Sequence, residues 1–226
     1  MTLDLVDFET TGACHFRSAM NSIDLERIAR LFRDAPTAGL RLTSEHLTSV
    51  SDLLGAGGAI GRIAARLIGN SARPVRAIAF DKSPDLNWRL GWHQDRVIAV
   101  RDRVQAEGFD AWSIKSGQPH VQPPIEIIAR MVTLRIHVDA VDELNAPLQV
   151  LAGSHALGLL PDDAIERLSK RAEVVVCLAD AGDAWAYSTP IVHASAEQRR
   201  PGRRWVLQVD YSADELPGGL EWQLLI

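Results

Sequence analysis

Asn87-Trp88-Arg89-Leu90-Gly91-Trp92-His93-Gln94-Asp95, followed by the apolar run Val97-Ile98-Ala99-Val100, decides how the rest of this chain is read. A histidine and a carboxylate two residues apart on an extended segment point to the same side, with Gln94 between them pointing away. Such a pair covers part of one face of a metal ion. A second histidine from elsewhere would complete a two-His-one-carboxylate triad with open positions, the ligand set of non-haem Fe(II) oxygenases. The pair recurs as His137-Val138-Asp139, so the surroundings of each copy have to choose between them.

Working outward, the sequence changes character near residue 74. Before it, helical spacing dominates. Ser22 opens a helix with Ile23, Ile28, Leu31 and Phe32 on one stripe, ended by Pro36. Residues 43–54 read as a second helix capped by Thr43 or Ser44. Residues 59–68 read as a third, stopped by Gly69-Asn70. Only residues 6–9, upstream of Gly12, suggest a short strand. From Pro74 onward short strands alternate with Gly/Pro turns: residues 74–80, 97–100, 131–138, 148–151, 173–178, 183–187 and 204–211. Short helices are expected at 125–130 and 162–169, and residues 111–124 read as a long loop. Helices followed by many short strands indicate an α+β fold, mainly β, with the N-terminal helices packed on a sandwich or barrel.

The third ligand has to come from His15, His46, His120, His155 or His193. In a two-sheet jelly roll, ligands from the second and seventh strands meet at one mouth of the barrel. Between Asp95 and His193 there is room for four strands; between Asp139 and His193 only two or three fit. The spacing favours His93, Asp95 and His193, with His137 and Asp139 as the other candidate pair. Arg204 begins a strand eleven positions after His193, and its forked guanidinium suits a carboxylate beside the metal. Arg199 and Arg200 read as a solvated turn.

The 226 residues are most simply one domain, residues 1–226. A net charge of -5 gives no support to nucleic-acid binding as a main function. Cys14 and Cys177 lie in no metal-binding spacing and are expected to be reduced. The N-terminus lacks a basic segment followed by an apolar one, and no apolar run is long enough to cross a membrane, so a cytoplasmic location is expected.

Four separated blocks occur in an order that resembles the phytanoyl-CoA dioxygenase family of Fe(II)/2-oxoglutarate oxygenases. They are Trp92-His93-Gln94-Asp95; Asn145-Ala146-Pro147-Leu148 leading to Ala152-Gly153-Ser154-His155 and Gly158; His193-Ala194-Ser195; and Arg204. In the family the second block reads Asn-Gly-Pro-Leu, a strand, then Pro-Gly-Ser-His. Ala146 and Ala152 depart from that pattern at turn positions. The resemblance implies a double-stranded β-helix (jelly-roll, cupin-like) core. It further implies Fe(II) on His93, Asp95 and His193, and 2-oxoglutarate as cosubstrate held by Arg204 and Ser195. The reaction it implies is hydroxylation of an aliphatic C–H of a small molecule by O2, with release of succinate and CO2. An aspartate at 95 favours hydroxylation over halogenation, since halogenases of this class leave that position open.

Secondary candidates surround this set. Lys82 either pairs with Asp81 or Asp85 or reaches 2-oxoglutarate. Thr133 and Arg135 share one strand face, and either can line the site. Gln94, Trp112, His120 and Gln122 are the substrate-side candidates, each with plain packing as the alternative. Two rival readings remain: a cupin-like metal enzyme that does not use 2-oxoglutarate, which has no need of Arg204, and a non-catalytic jelly roll, which has no need of the triad.

Overall fold

The computed structural model describes residues 5–33, 38–200 and 202–224. The expected helix stop at Pro36 lies outside them. The N-terminal part contains α1 (Leu5–Thr11), β1 (Ala13–Phe16), α2 (Ser22–Arg30), β2 (Leu40–Leu42), α3 (Ser44–Leu47), α4 (Ser51–Leu54) and α5 (Gly61–Ile68). There follow β3 (Arg73–Lys82), β4 (Leu90–His93), β5 (Ile98–Ala99), β6 (Asp110–Lys115), β7 (Gln118–Gln122), α6 (Ile125–Ala129), β8 (Val132–His137) and β9 (Leu148–Leu151). The chain continues through α7 (Asp162–Ser169), β10 (Val174–Cys177), β11 (Ala184–Ser188), β12 (His193–Ser195) and β13 (Arg204–Ser212).

Three antiparallel sheets result. The larger runs β1-β11-β8-β13-β3-β2, the smaller β10-β9-β12-β4, and a third, β5-β7-β6, is inserted between β4 and β8. Eight of these strands make a jelly roll: β3, β13, β8 and β11 face β4, β12, β9 and β10. Between the second and seventh of them lie β8, β9, β10 and β11, the four strands that the spacing argument required.

Period-two alternation gives the large sheet two unlike faces. Ala77 and Ala79 of β3, Leu134 and Ile136 of β8, and Leu207, Val209 and Tyr211 of β13 turn outward. There they join Ile28, Leu47, Leu54, Ile60, Ile63 and Ala64 of the helical layer in one apolar cluster. Each fully buried aliphatic of that cluster contributes about 1.5–3 kcal/mol. The opposite face carries Arg76, Thr133, Arg135, Gln208 and Asp210, all buried. A buried sheet face this polar is expensive unless its groups are paired or serve a site.

The local departures from expectation have physical causes. Residues 6–9 are helical: α1 holds them, and Gly12, at φ +80°, ends the helix and turns the chain into β1. Asn21, not Ser22, caps α2, its Oδ1 accepting from Asp24 N at 2.9 Å. The expected helix over 43–54 breaks into α3, a 3₁₀ turn (Thr48–Val50) and α4. The Thr48 and Ser51 hydroxyls donate to the Ser44 and Thr48 carbonyls at 3.2 and 3.1 Å and compete with helix continuation. Downstream, a Cβ at Gly61 would overlap the Gly55 carbonyl oxygen, so glycine is needed where the chain doubles back.

The expected loop over 111–124 is instead the β6–β7 hairpin. Ser116 and Gly117 both have positive φ, 49° and 77°, the geometry of a two-residue type I′ turn. The density of prolines nearby masked a Ser-Gly hairpin signal.

Candidate active site

His93 closes β4 and His193 opens β12, and the two residues are direct partners in the ladder. That register places their rings 4.2 Å apart, centroid to centroid. Asp95 follows two residues after His93. One ligand atom from each of His93, Asp95 and His193 lies within 4.8 Å of the others, the one such group of metal-ligating side chains among the described residues.

The imidazoles are held for ligation. Nδ1 of His93 donates to the Gly91 carbonyl at 2.8 Å, and Nδ1 of His193 to the Ile191 carbonyl at 2.9 Å. This fixes the tautomer with Nε2 unprotonated and free to bind a metal. Burial, and next the neighbouring His93 ring, push His193 down to about 4, so it is neutral at physiological pH. Burial works to raise the Asp95 carboxyl, but Arg76 and the two histidines outweigh it and hold it well below the usual range. Two imidazoles and one carboxylate at these separations suit a divalent iron, and the donor set fits the cofactor the sequence suggests.

Behind Asp95 stands a network that sequence reading missed. Arg76 of β3 donates through an Nη to Asp95 at 2.9 Å and through Nε to Asp210 of β13 at 2.5 Å. Thr133 Oγ1 donates to Asp210 Oδ1 at 3.0 Å and contacts Thr189 Oγ1 at 3.1 Å. Arg135 donates to Gln208 Oε1 at 2.9 Å. β13 lies between β3 and β8, so Asp210 sits opposite both Arg76 and Thr133, and Gln208 opposite Arg135. The one available signal was an arginine alternating with Ile78 and Phe80 inside an apolar strand.

The triad lines a cleft of about 190 Å³ together with Arg41, Arg76, Ile78, Phe80, Lys115, Arg135, Ser195 and Arg204, among others. Arg204 is buried and donates to the Ala146 carbonyl, but its Nε has no partner. Burial, and then Arg135, push its guanidinium below the usual value, the mark of a charge with no anion beside it. Ser195 Oγ donates to the same Ala146 carbonyl at 3.2 Å. Ala146 itself adopts φ +63°, which explains why a glycine suits that position.

Other candidates lie elsewhere. Lys82 is fully buried and pairs with neither Asp81 nor Asp85. Its ammonium donates to the Trp88 and Ala196 carbonyls, both at 2.7 Å, and sits over the Trp88 ring. Thr133 supports Asp210 and is not among the cleft-lining residues; Arg135, on the same strand face, is. Gln94 faces away from the triad. Its amide donates to the Gly158 and Pro190 carbonyls at 2.8 and 2.7 Å and accepts from Leu160 N at 2.8 Å, a clasp on two loops. Trp112 packs against a separate apolar cluster, with Arg103 over its ring. Gln122 pairs with Asp110 in the hairpin ladder. His120, on β7, is fully buried, its Nδ1 on the Gln118 carbonyl at 2.9 Å and its Nε2 unpartnered. Trp112, His120 and Gln122 are thus hairpin residues and not among those lining the cleft.

Ser154 of the Gly-Ser-His block has a positioning use: it donates to the Leu151 carbonyl at 2.7 Å and accepts from Val192 N at 2.9 Å, beside His193. Ala152 uses its backbone N–H to bond the Glu173 carbonyl at 3.0 Å, a bond that proline cannot make.

A profile of the phytanoyl-CoA dioxygenase (PhyH) family matches residues 8–206. The chain belongs to this family. His93, Asp95 and His193 form a possible metal-binding triad within the matched residues. No curated protein matches it in sequence. Among solved structures it is similar to EctD from S. alaskensis with bound Fe, at 14% identity and TM-score 0.68 over 98% of this chain and 79% of that one. It is also similar to HygX from Streptomyces hygroscopicus with nickel, 2-oxoglutarate and hygromycin B bound (15%, TM-score 0.62, 92% and 85% covered). A third is SnoN, a non-heme alpha ketoglutarate dependent epimerase from nogalamycin biosynthesis (14%, TM-score 0.61, 95% and 88% covered). At these identities the likeness concerns the fold: a cupin-like jelly roll. Among the described residues no helix is long and apolar enough to cross a membrane.

Proposed function

We propose that this family member is an Fe(II)- and 2-oxoglutarate-dependent dioxygenase that hydroxylates an aliphatic C–H of a small-molecule metabolite or natural-product intermediate. The observation that carries the reading is the meeting of three metal donors, both imidazoles anchored through Nδ1, in one cleft with a buried arginine that lacks an anion. When bound, iron with 2-oxoglutarate and O2 supplies the oxidation of an unactivated C–H, with release of succinate and CO2.

The chain's own residues hold and orient. His93, Asp95 and His193 would hold the metal. Arg76 keeps Asp95 ionised and fixes its orientation. Arg204, with Ser195 beside it, receives the distal carboxylate of 2-oxoglutarate, a forked donor facing a planar acceptor. Leu148, Ile78 and Phe80 line the same cleft and limit water near the reacting carbon. The cleft is small beside ordinary ligand pockets of roughly 300–1,000 Å³, in keeping with a compact substrate.

The test is succinate release from 2-oxoglutarate in a screen of small metabolites with Fe(II) under air, with mass analysis of each product. The proposal expects succinate in step with a product gaining one oxygen atom. Succinate with a product of unchanged formula would indicate an epimerisation, the class of reaction for which SnoN is named. Iron binding without any 2-oxoglutarate consumption would favour a cupin-like enzyme of another class.

A further inference from the structure

The cleft holds more positive charge than iron and 2-oxoglutarate require. Arg41, Arg76, Lys115, Arg135 and Arg204 line it, and Asp95 is its one lining carboxylate, in a chain whose net charge is -5. Arg76 is taken up by Asp95 and Asp210. On the functional reading above, Arg204 serves the cosubstrate, and the dianion of 2-oxoglutarate offsets the dication. Arg135 donates to Gln208 Oε1 at 2.9 Å and lies over the Phe80 ring, which leaves Arg41 and Lys115.

These two come from separate elements. Arg41 lies on β2 opposite Ile78 and therefore on the cleft side of the sheet. Lys115 ends β6, immediately before the Ser116-Gly117 turn. Arg41 reaches that turn, an Nη donating to Ser116 Oγ at 3.5 Å, while its Nε is buried with no partner. Neither cation has a carboxylate partner among the described residues. Their charged neighbours are Arg76 and Asp95, and each other. Burial first, then like charge, pushes both below their ordinary values. Two half-buried cations held together by separate segments cost stability unless an anion lies between them.

We propose that Arg41 and Lys115 form a substrate-anion subsite, so that the substrate carries a carboxylate or phosphate set apart from the C–H that reacts. This deepens the dioxygenase reading and rests on it. The subsite would fix the far end of the substrate while its reacting carbon stands before the metal, a placement that supplies much of the rate in such chemistry. The β6–β7 hairpin, inserted between β4 and β8 in sequence, would then serve specificity through Lys115 while β2 serves it through Arg41.

The experiment uses inorganic phosphate as the probe, titrated by calorimetry into the protein loaded with Ni(II) and 2-oxoglutarate and, separately, into metal-free protein. The variants are Arg41→Gln, Lys115→Gln and the double substitution, with Arg204→Gln as the contrast. Charge-assisted hydrogen bonds contribute about 1.5–3 kcal/mol each, so the double variant should lose phosphate affinity by tenfold or more. Its affinity for 2-oxoglutarate, read from the visible band of the anaerobic Fe(II) complex, should stay within about threefold by the same scale. Arg204→Gln should show the reverse pattern. No phosphate binding to the wild type, or equal binding to the double variant, overturns the subsite. A parallel loss of 2-oxoglutarate affinity in the double variant also overturns it, because Arg41 and Lys115 would then serve the cosubstrate. If the Fe(II) band never forms, the dioxygenase reading fails, and the metal-free titration still decides whether the two cations bind an anion. Each substitution at Arg41 or Lys115 removes like-charge repulsion, so an unchanged or raised Tm separates lost binding from lost folding.

Discussion

The chain contains the same tripeptide pattern twice and uses it in opposite ways. His93 and Asp95 meet His193 at the end of the small sheet. His137 and Asp139 lie at the end of β8 in the large sheet, and they part company. His137 is buried with neither ring nitrogen partnered, whereas Asp139 accepts from Arg203 at 2.6 Å and from Trp205 N at 2.9 Å. The difference is register. His93 pairs with His193 across the ladder, while His137 pairs with Val206. A His-x-Asp pair is half a site, and the strand that comes to lie beside it supplies or withholds the other half.

The largest effect that can break this comparison is on metal affinity. Asp95→Ala removes a ligand and should weaken Fe(II) binding beyond the about 100-fold that loss of a supporting residue costs. Asp139→Ala should leave Fe(II) affinity unchanged and lower stability by only about 1–2 kcal/mol, since it strands the Trp205 N–H. Parallel metal titrations and denaturant curves distinguish the two.

Arg76→Met tests the support beneath the first copy. It strands Asp210 in the interior and should cost about 3–5 kcal/mol in denaturant unfolding. The same variant should lower Fe(II) affinity about 10–100-fold by freeing Asp95.

His137→Leu tests the second copy. It replaces an unpartnered buried imidazole and should raise stability by about 1 kcal/mol at neutral pH. Burial, then the Arg135 and Arg204 charges, keep His137 neutral far below its ordinary value of 6.5. The unfolded chain therefore takes up the proton first as pH falls, and stability declines below about pH 6.5. The Leu variant should decline less steeply over that range, as thermal melts across pH will show. Smallest is Ala146→Gly, which releases a φ of +63° and should change stability by less than about 1 kcal/mol, without altering metal affinity.

How much of this was legible in sequence follows from which interactions are local. Strand alternation already directed Gln94 away from His93 and Asp95, and the strand count already separated His93 from His137 as the partner of His193. The turn-forming Asn145-Ala146-Pro147 and Gly153-Ser154 segments share the family resemblance with the His93–Asp95, His193–Ser195 and Arg204 blocks. Arg76 and Asp210 were not legible, because 134 positions separate them and only the β3–β13 register joins them. Arg41 and Lys115 were hidden for a second reason. The hairpin that carries Lys115 has the proline-rich composition of a loop, and β2 is three residues long, too short to show alternation. Helix breaks at Thr48 and Ser51 came from hydroxyls bonding their own backbone, which an apolar stripe does not reveal.

The most direct measurement is an anaerobic titration of the protein with Fe(II) and 2-oxoglutarate, following the weak visible charge-transfer band of the chelate, on wild type, His93→Ala and His137→Ala. The band should form in wild type and His137→Ala and be lost in His93→Ala. A band that survives in His93→Ala and vanishes in His137→Ala would contradict it and assign the metal to the other pair.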